Sequence, residues 1–207
     1  MIRYALGAIL GAALGVASAL YLAGLWPGMK PLDFGNVEVD GWRSDFAIGS
    51  EAADPYTRAR VARHGLLALA KSEAVYFTKT TGALGVGEVP LTQQCDFLLS
   101  GGPMPAKWWS ITLYDENSLL PMNDDGALSV DATSVTLEED GTWRAVISAE
   151  QSDQAPNWIS SRNAGGFDLT LRLYEPSGEL LSDPETALTP PTIEALACTI
   201  TGTMKVP

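Results

Sequence analysis

A chain of 207 residues with a formal net charge of −12 is long enough for one domain of ordinary size plus an appendage, and too short for two enzymatic domains with full cores. Hydrophobic residues make up 46% and charged residues 18%, but the average mixes an uncharged N-terminus with an acidic remainder. Between Trp108 and Pro207 the only basic residues are Arg144, Arg162, Arg172 and Lys205. No basic stripe exists of the kind by which nucleic acid or anionic lipid is bound, and neither is expected as a partner of the protein.

From Tyr4 to Trp26 no residue is charged. As a helix this stretch is roughly 33 Å long, the thickness of a bilayer core, with Tyr4, Tyr21 and Trp26 near the ends where amphipathic rings settle. Pro27 and Gly28 are expected to stop it. The chain is read as a single-pass protein of the inner (cytoplasmic) membrane, anchored through residues 4–26. Its short N-terminal tail stays in the cytoplasm and its acidic domain lies on the periplasmic side. A cleaved signal peptide is the competing reading, because Ala17-Ser18-Ala19 has the form of a cleavage site; the apolar run continues past it through Leu22 and Leu25, as in an anchor. Gly7, Gly11 and Gly15 are spaced for close approach of a second helix, a weak homodimer contact. The expected organisation is an anchor over 1–28, a linker over 29–41 and an exported domain over 42–207.

Asp54 caps a predicted helix running to Ala70, with Pro55 at its first position. Ala59, Ala62, Leu66, Leu69 and Ala70 share one face of it, expected to pack on a sheet, while Arg58, Arg60 and Lys71 point elsewhere. Beyond it the period becomes two. Trp109, Ile111 and Leu113 alternate with Ser110 and Thr112, and 167–174 alternates almost completely. Thr142 to Ser148 forms another strand, with Trp143, Ala145 and Ile147 inward; Asp140-Gly141 is expected to turn it back from an arm carrying Val135 and Leu137. Further strands are predicted at Val75 to Lys79, Cys95 to Ser100, Leu128 to Asp131 and Ile193 to Ile200. Many short strands at this spacing predict a mainly β protein, an antiparallel sandwich or jelly-roll-like domain with one or two flanking helices. Cys95 and Cys198, even in number in an exported chain, are read as a disulfide.

Catalytic chemistry finds little purchase. No G-x-S-x-G elbow is present and the single histidine, His64, falls on the predicted helix, where a polar surface position explains it. One histidine and two bonded cysteines do not make a zinc site. Asn123, Asp124, Asp125 and Asp131 are oxygen-rich but lack the full calcium-loop pattern, and read as a solvated turn. Asp115 and Glu116 are carboxylates with no designated partner for glycosidic cleavage. No metal, no cofactor and no catalytic residue is assigned. The candidate binding surface is Lys107, Trp108, Tyr114, Asp115, Asn157, Trp158, Arg172 and Tyr174. Trp108 projects opposite the core-facing Trp109, and Asp168, Thr170 and Arg172 share a polar strand face. Aromatic rings stack on a partner's rings or sugars, while an arginine binds carboxylates. An ion-paired outer face with tryptophans capping the core is the structural alternative.

The runs 105–115 (Pro-Ala-Lys-Trp-Trp-Ser-Ile-Thr-Leu-Tyr-Asp), Asn157-Trp158-Ile159-Ser160, 166–176 (Gly-Phe-Asp-Leu-Thr-Leu-Arg-Leu-Tyr-Glu-Pro) and Pro190-Pro191-Thr192-Ile193 resemble, in order, the domain-of-unknown-function family 1214. The resemblance extends over roughly Trp42 to Cys198. It implies a β-sandwich and a companion of family 1254, and implies no reaction. Lys107 stands where the family pattern has arginine, and Ile159-Ser160 where it has Leu-Pro; lysine cannot reproduce arginine's planar fork. Partner docking through the tryptophan-rich face is the leading expectation, with a glycan or small-ligand module, or an envelope hydrolase, as the alternatives.

Overall fold

The computed structural model describes residues 2–26, 37–64, 69–151, 153 and 155–199, which fall into two compact units. One comprises Met1–Gly35 and Asp45–Lys71, the other Asn36–Ser44 and Ser72–Pro207.

In the first unit the apolar N-terminus forms α1 (Ile2–Leu22), and the side chains of residues 3–16 are all exposed. By length and composition the helix suffices to cross a membrane or serve as a signal sequence. It ends before Pro27 and Gly28, which lie outside the described residues. Gly24, at φ 72°, takes the left-handed conformation; its N–H bonds to the Tyr21 carbonyl and that of Leu25 to the Leu20 carbonyl, the glycine-stopped Schellman arrangement.

The second helix, α2 (Pro55–His64), starts as its sequence dictates. Asp54 accepts from the backbone N–H groups of Tyr56 and Thr57 at 2.7 and 3.2 Å and from the Thr57 hydroxyl at 2.6 Å. It is shorter than predicted: Ala70 is not helical, and 65–68 lie outside the described residues, as do the side chains of Arg63 and His64. Its inward face also differs, for Thr57 is buried and Ala62 exposed. It belongs with α1, whose terminal Leu22 carbonyl accepts from Arg60 Nη1 at 3.1 Å; Arg60, expected to point away, answers an orphan carbonyl at the negative end of a helix dipole.

The second unit is a mainly β sandwich. Its strands are β1 (Val37–Val39), β2 (Trp42–Ser44), β3 (Ala74–Lys79), β4 (Thr81–Leu84), β5 (Gly87–Pro90), β6 (Cys95–Gly101), β7 (Ala106–Asp115), β8 (Ser129–Asp131), β9 (Trp143–Ser148), β10 (Asn157–Ser160), β11 (Phe167–Pro176) and β12 (Thr192–Cys198), with short helices α3 (Gly178–Ser182) and α4 (Pro184–Ala187) before β12. One sheet has the order β1-β2-β3-β11-β7-β8, the other β10-β9-β6-β12-β4-β5; we refer to them as the front and back sheets. Pairing is antiparallel except for β9 with β10 and β4 with β12.

The alternation read from the sequence sets the core. Leu169, Leu171 and Leu173 of β11, Ile111 and Leu113 of β7, Phe97 and Leu99 of β6 and Ile147 of β9 are all fully enclosed. Trp109 stacks on Trp143 at 4.9 Å, joining front to back, and Phe97 meets Phe167 edge-on. Trp42, also enclosed, donates its indole N–H to the Pro191 carbonyl at 2.9 Å, tying the front sheet to the terminal proline motif.

Three local expectations need correction. Val37–Val39 is a strand rather than linker, because Asp40 and Gly41, at φ 49° and 77°, make a tight hairpin turn into β2. The arm carrying Val135 and Leu137 is not a strand, although Gly141 does turn the chain at φ 81°. The reason is topological: both edges of β9 are taken, by β6 and β10. The β4–β5 hairpin escaped the pattern because its glycines interrupt the alternation, with Gly85 at φ 57° supplying its turn.

Cys95 and Cys198 are disulfide-bonded, directly opposite one another on β6 and β12. Breaking this link in a Cys95→Ser, Cys198→Ser variant should cost about 4 to 5 kcal/mol on the chain-entropy account, seen as a lower denaturant midpoint that reductant no longer affects. Glycine substitutions provide a second test. A Cβ at Gly101 would stand 2.4 Å from the ring of the enclosed Trp143, whereas at Gly166 it would meet only the end of the Glu116 side chain. Gly101→Ala should therefore destabilise by about 1 to 3 kcal/mol in thermal unfolding and Gly166→Ala by much less.

Candidate functional site

Because β11 lies between β3 and β7, its outward residues meet neighbours on both sides. The ladder sets Tyr174 opposite Trp108 and Ala74, Arg172 opposite Ser110 and Tyr76, Thr170 opposite Thr112 and Thr78, and Asp168 opposite Tyr114. The outer face of the front sheet is thus a polar floor of Ser110, Thr112 and Thr170, each under 9% exposed, beneath the larger side chains.

Arg172 organises this face. Its Nη1 donates to Thr112 Oγ1 at 2.9 Å, its Nη2 donates to the Tyr114 hydroxyl, and its guanidinium carbon lies 5.2 Å from the centre of the Tyr114 ring. Among the described residues it makes no ion pair with a carboxylate within 4.0 Å; two hydroxyls and an aromatic ring meet its charge. Beside it Trp108 and Tyr174 pack with ring centres 5.4 Å apart at 60°. Trp108, 36% exposed, is further held by a 2.9 Å bond from its indole to the Thr133 hydroxyl. Asp131 fixes that turn, accepting from the Thr133 and Ser134 N–H groups and the Ser134 hydroxyl. Burial pushes the Asp131 carboxyl up, but the bonds from Ser134 and Thr133 outweigh it and hold the group below its usual range.

Tyr76 was not singled out in the sequence, yet it completes the cluster opposite Arg172. Burial and the Tyr174 phenol push its pKa up, against the opposing pull of the Arg172 charge. The alternation Val75-Tyr76-Phe77 was the available signal, since it turns Tyr76 to the outer face.

Of the eight candidate residues, Trp108, Tyr114, Arg172 and Tyr174 come together and four do not. Lys107 points the other way along β7 and forms an exposed ion pair with Glu175. Its departure from arginine thus falls outside the Arg172 cluster. Asp115 caps the turn after β7, accepting from the N–H groups of Asn117 and Leu119, both at 2.8 Å. Asn157, buried on the back sheet, holds the 132–138 arm: it accepts from Thr136 N and donates to the Thr136 and Arg144 carbonyls. Trp158 is fixed on the same sheet by bonds to Ser148. At the second departure Ile159 is enclosed in the core, and Ser160 gains a backbone bond to Ala127 and a hydroxyl bond to Asp125, neither open to proline. Asp125 is engaged by Ser160 and Arg162, and among the described residues no cluster of three or more metal-ligating His, Cys, Asp or Glu side chains occurs.

Fold and site together define a β-sandwich with an aromatic patch around Arg172 on one outer sheet face. The family model described as "Protein of unknown function (DUF1214)" matches residues 73–178, and the chain belongs to that family. The match runs from the start of β3 to the end of β11, a shorter span than the motifs suggested. No curated protein matches. Among solved structures, the VPA0106 protein from Vibrio parahaemolyticus is 21% identical with a TM-score of 0.54, over 69% of this chain and 35% of that one. An uncharacterized protein from Burkholderia cenocepacia is 13% identical with a TM-score of 0.41, over 59% of this chain and 29% of that one. The chain thus spans about a third of the length of the structures it matches.

The raised Tyr76 pKa has a sign that can be checked. A tyrosine whose folded value exceeds the ordinary 10.0 contributes stability that is complete below that pH and lost as pH rises through the folded value. Unfolding midpoints should fall above pH 10, and Tyr76→Phe should flatten this alkaline limb. An unchanged limb would place the titration elsewhere.

Proposed function

We propose that this protein is a non-catalytic recognition protein of the cell envelope. α1 holds it in the inner membrane with the N-terminus in the cytoplasm, and the outer face of the front sheet docks onto a carboxylate-bearing surface of an envelope partner. The observation that carries the reading is Arg172: a half-buried guanidinium, fixed by Thr112 and Tyr114, with no carboxylate of its own among the described residues. A cation pre-oriented in this way offers its remaining N–H fork to an incoming carboxylate at little entropic cost. The exposed Trp108 beside Tyr174 supplies the aromatic anchor that interfaces favour. A family 1254 protein is the partner the family resemblance points to. The Trp108–Tyr174 pair also favours a second reading, in which the face stacks on the ring of a small sugar acid whose carboxylate Arg172 holds.

Pull-down from solubilised envelopes should decide. Arg172→Ala or Trp108→Ala should weaken capture of the partner by at least about 2 kcal/mol of binding while the melting temperature stays near that of the parent. Capture that survives both substitutions in a folded domain removes the docking face. A melting temperature raised by saturating sugar acids, and by them alone, favours the second reading.

A further inference from the structure

The basic charge missing from the C-terminal half is concentrated in and after α2. Residues 55–71 contain Arg58, Arg60, Arg63 and Lys71 and no acid, in a chain of net charge −12. A continuous set of hydrogen bonds fixes this helix to the end of α1. Arg60 joins the Leu22 carbonyl at 3.1 Å to the Thr57 hydroxyl at 3.0 Å, and Thr57 in turn donates to the capping carboxylate of Asp54. If α1 spans the bilayer, as proposed above, its last carbonyl lies at the membrane surface and α2 lies there with it.

Two further features suit that position. Leu25, Trp26 and Tyr56 are all exposed around this junction, the residue types that settle among headgroups and upper acyl chains. A cavity of about 390 Å³ runs along α2, with apolar walls from Ile48, Ala53, Val61 and Ala62 and polar groups from Thr57 and Arg58. The Arg58 guanidinium is steadied by the carbonyls of Ala53 and Glu51, through Nε and Nη2, and its Nη1 has no partner among the described residues.

We propose that α2 and its cavity form a binding site for the headgroup of an anionic phospholipid of the leaflet from which α1 emerges. Arg58 takes the phosphate, and the apolar wall takes the glycerol and first methylenes. The inference rests on the membrane-anchor reading.

The test uses the full chain reconstituted into vesicles of phosphatidylcholine alone or with phosphatidylglycerol. Flotation after alkaline wash reports insertion of α1. Hydrogen exchange of the α2 amides reports headgroup binding, and should slow several-fold in the phosphatidylglycerol vesicles. The slowing should weaken with added salt and fall roughly five-fold in Arg58→Gln. Salt dependence in the parent protein keeps the test independent of how the variant folds. Flotation in both vesicle types with identical α2 exchange overturns the lipid site and leaves the anchor standing. Failure to float in either overturns the anchor and the lipid site with it.

Discussion

The register of β11 between β3 and β7 is the constraint on which the rest of the sandwich depends. A slip of one residue would turn Leu169, Leu171 and Leu173 to the outside and bring Asp168, Thr170 and Arg172 into the core. Burying an unpaired guanidinium and a carboxylate among Ile111, Phe77 and Trp109 would cost several kcal/mol each, more than the whole stability margin of a small domain can absorb. Core and outer face are therefore specified by one alternation. The Trp109–Trp143 stack then carries the same register to the back sheet, since Trp109 can face Trp143 only while Trp108 faces outward.

The tryptophans of the sandwich show how their polar ends divide structural from surface roles. Trp42 spends its indole N–H on the Pro191 carbonyl, Trp158 on Ser148, and Trp143 lies over Gly101, where any side chain would collide. Each is committed to holding one segment against another. Trp108 differs: its bond to Thr133 orients the ring without burying it, so its face stays available. Orientation before contact lowers the entropy lost on binding. Asp131 fixes the Thr133 turn and Tyr174 supports the ring, so the exposed tryptophan is held from two sides.

Much of this was legible in the sequence because period-two alternation is a local signal. The runs in β7, β9 and β11 each declared both a strand and a face, those in β3, β6 and β12 declared a strand, and the outward set on β7 and β11 contained Trp108, Tyr114, Arg172 and Tyr174. What escaped depends on topology or very short range. The three-residue strands β1 and β2 hold too few positions to show alternation, and the 132–138 arm resembled a strand until β6 and β10 were seen to occupy both edges of β9. Asn157 and Asp115 looked functional because polar groups beside aromatics suggest a pocket; their bonds to nearby backbone instead give them structural work. Tyr76 could be added only once β3 was known to pair with β11.

Charge divides the molecule as sharply as fold does. The sandwich carries most of the acid, while residues 55–71 carry four basic side chains and none of opposite sign. Near an anionic surface these two populations respond in opposite directions within about one Debye length, roughly 8 Å at physiological salt. Arg172 is a cation on the acidic domain, fixed there by Thr112 and Tyr114. A soluble carboxylate approaching that domain is repelled by the surrounding field and must be held by geometry at Arg172 rather than by steering. The face is thereby suited to a partner that binds by shape and aromatic contact more than by long-range attraction.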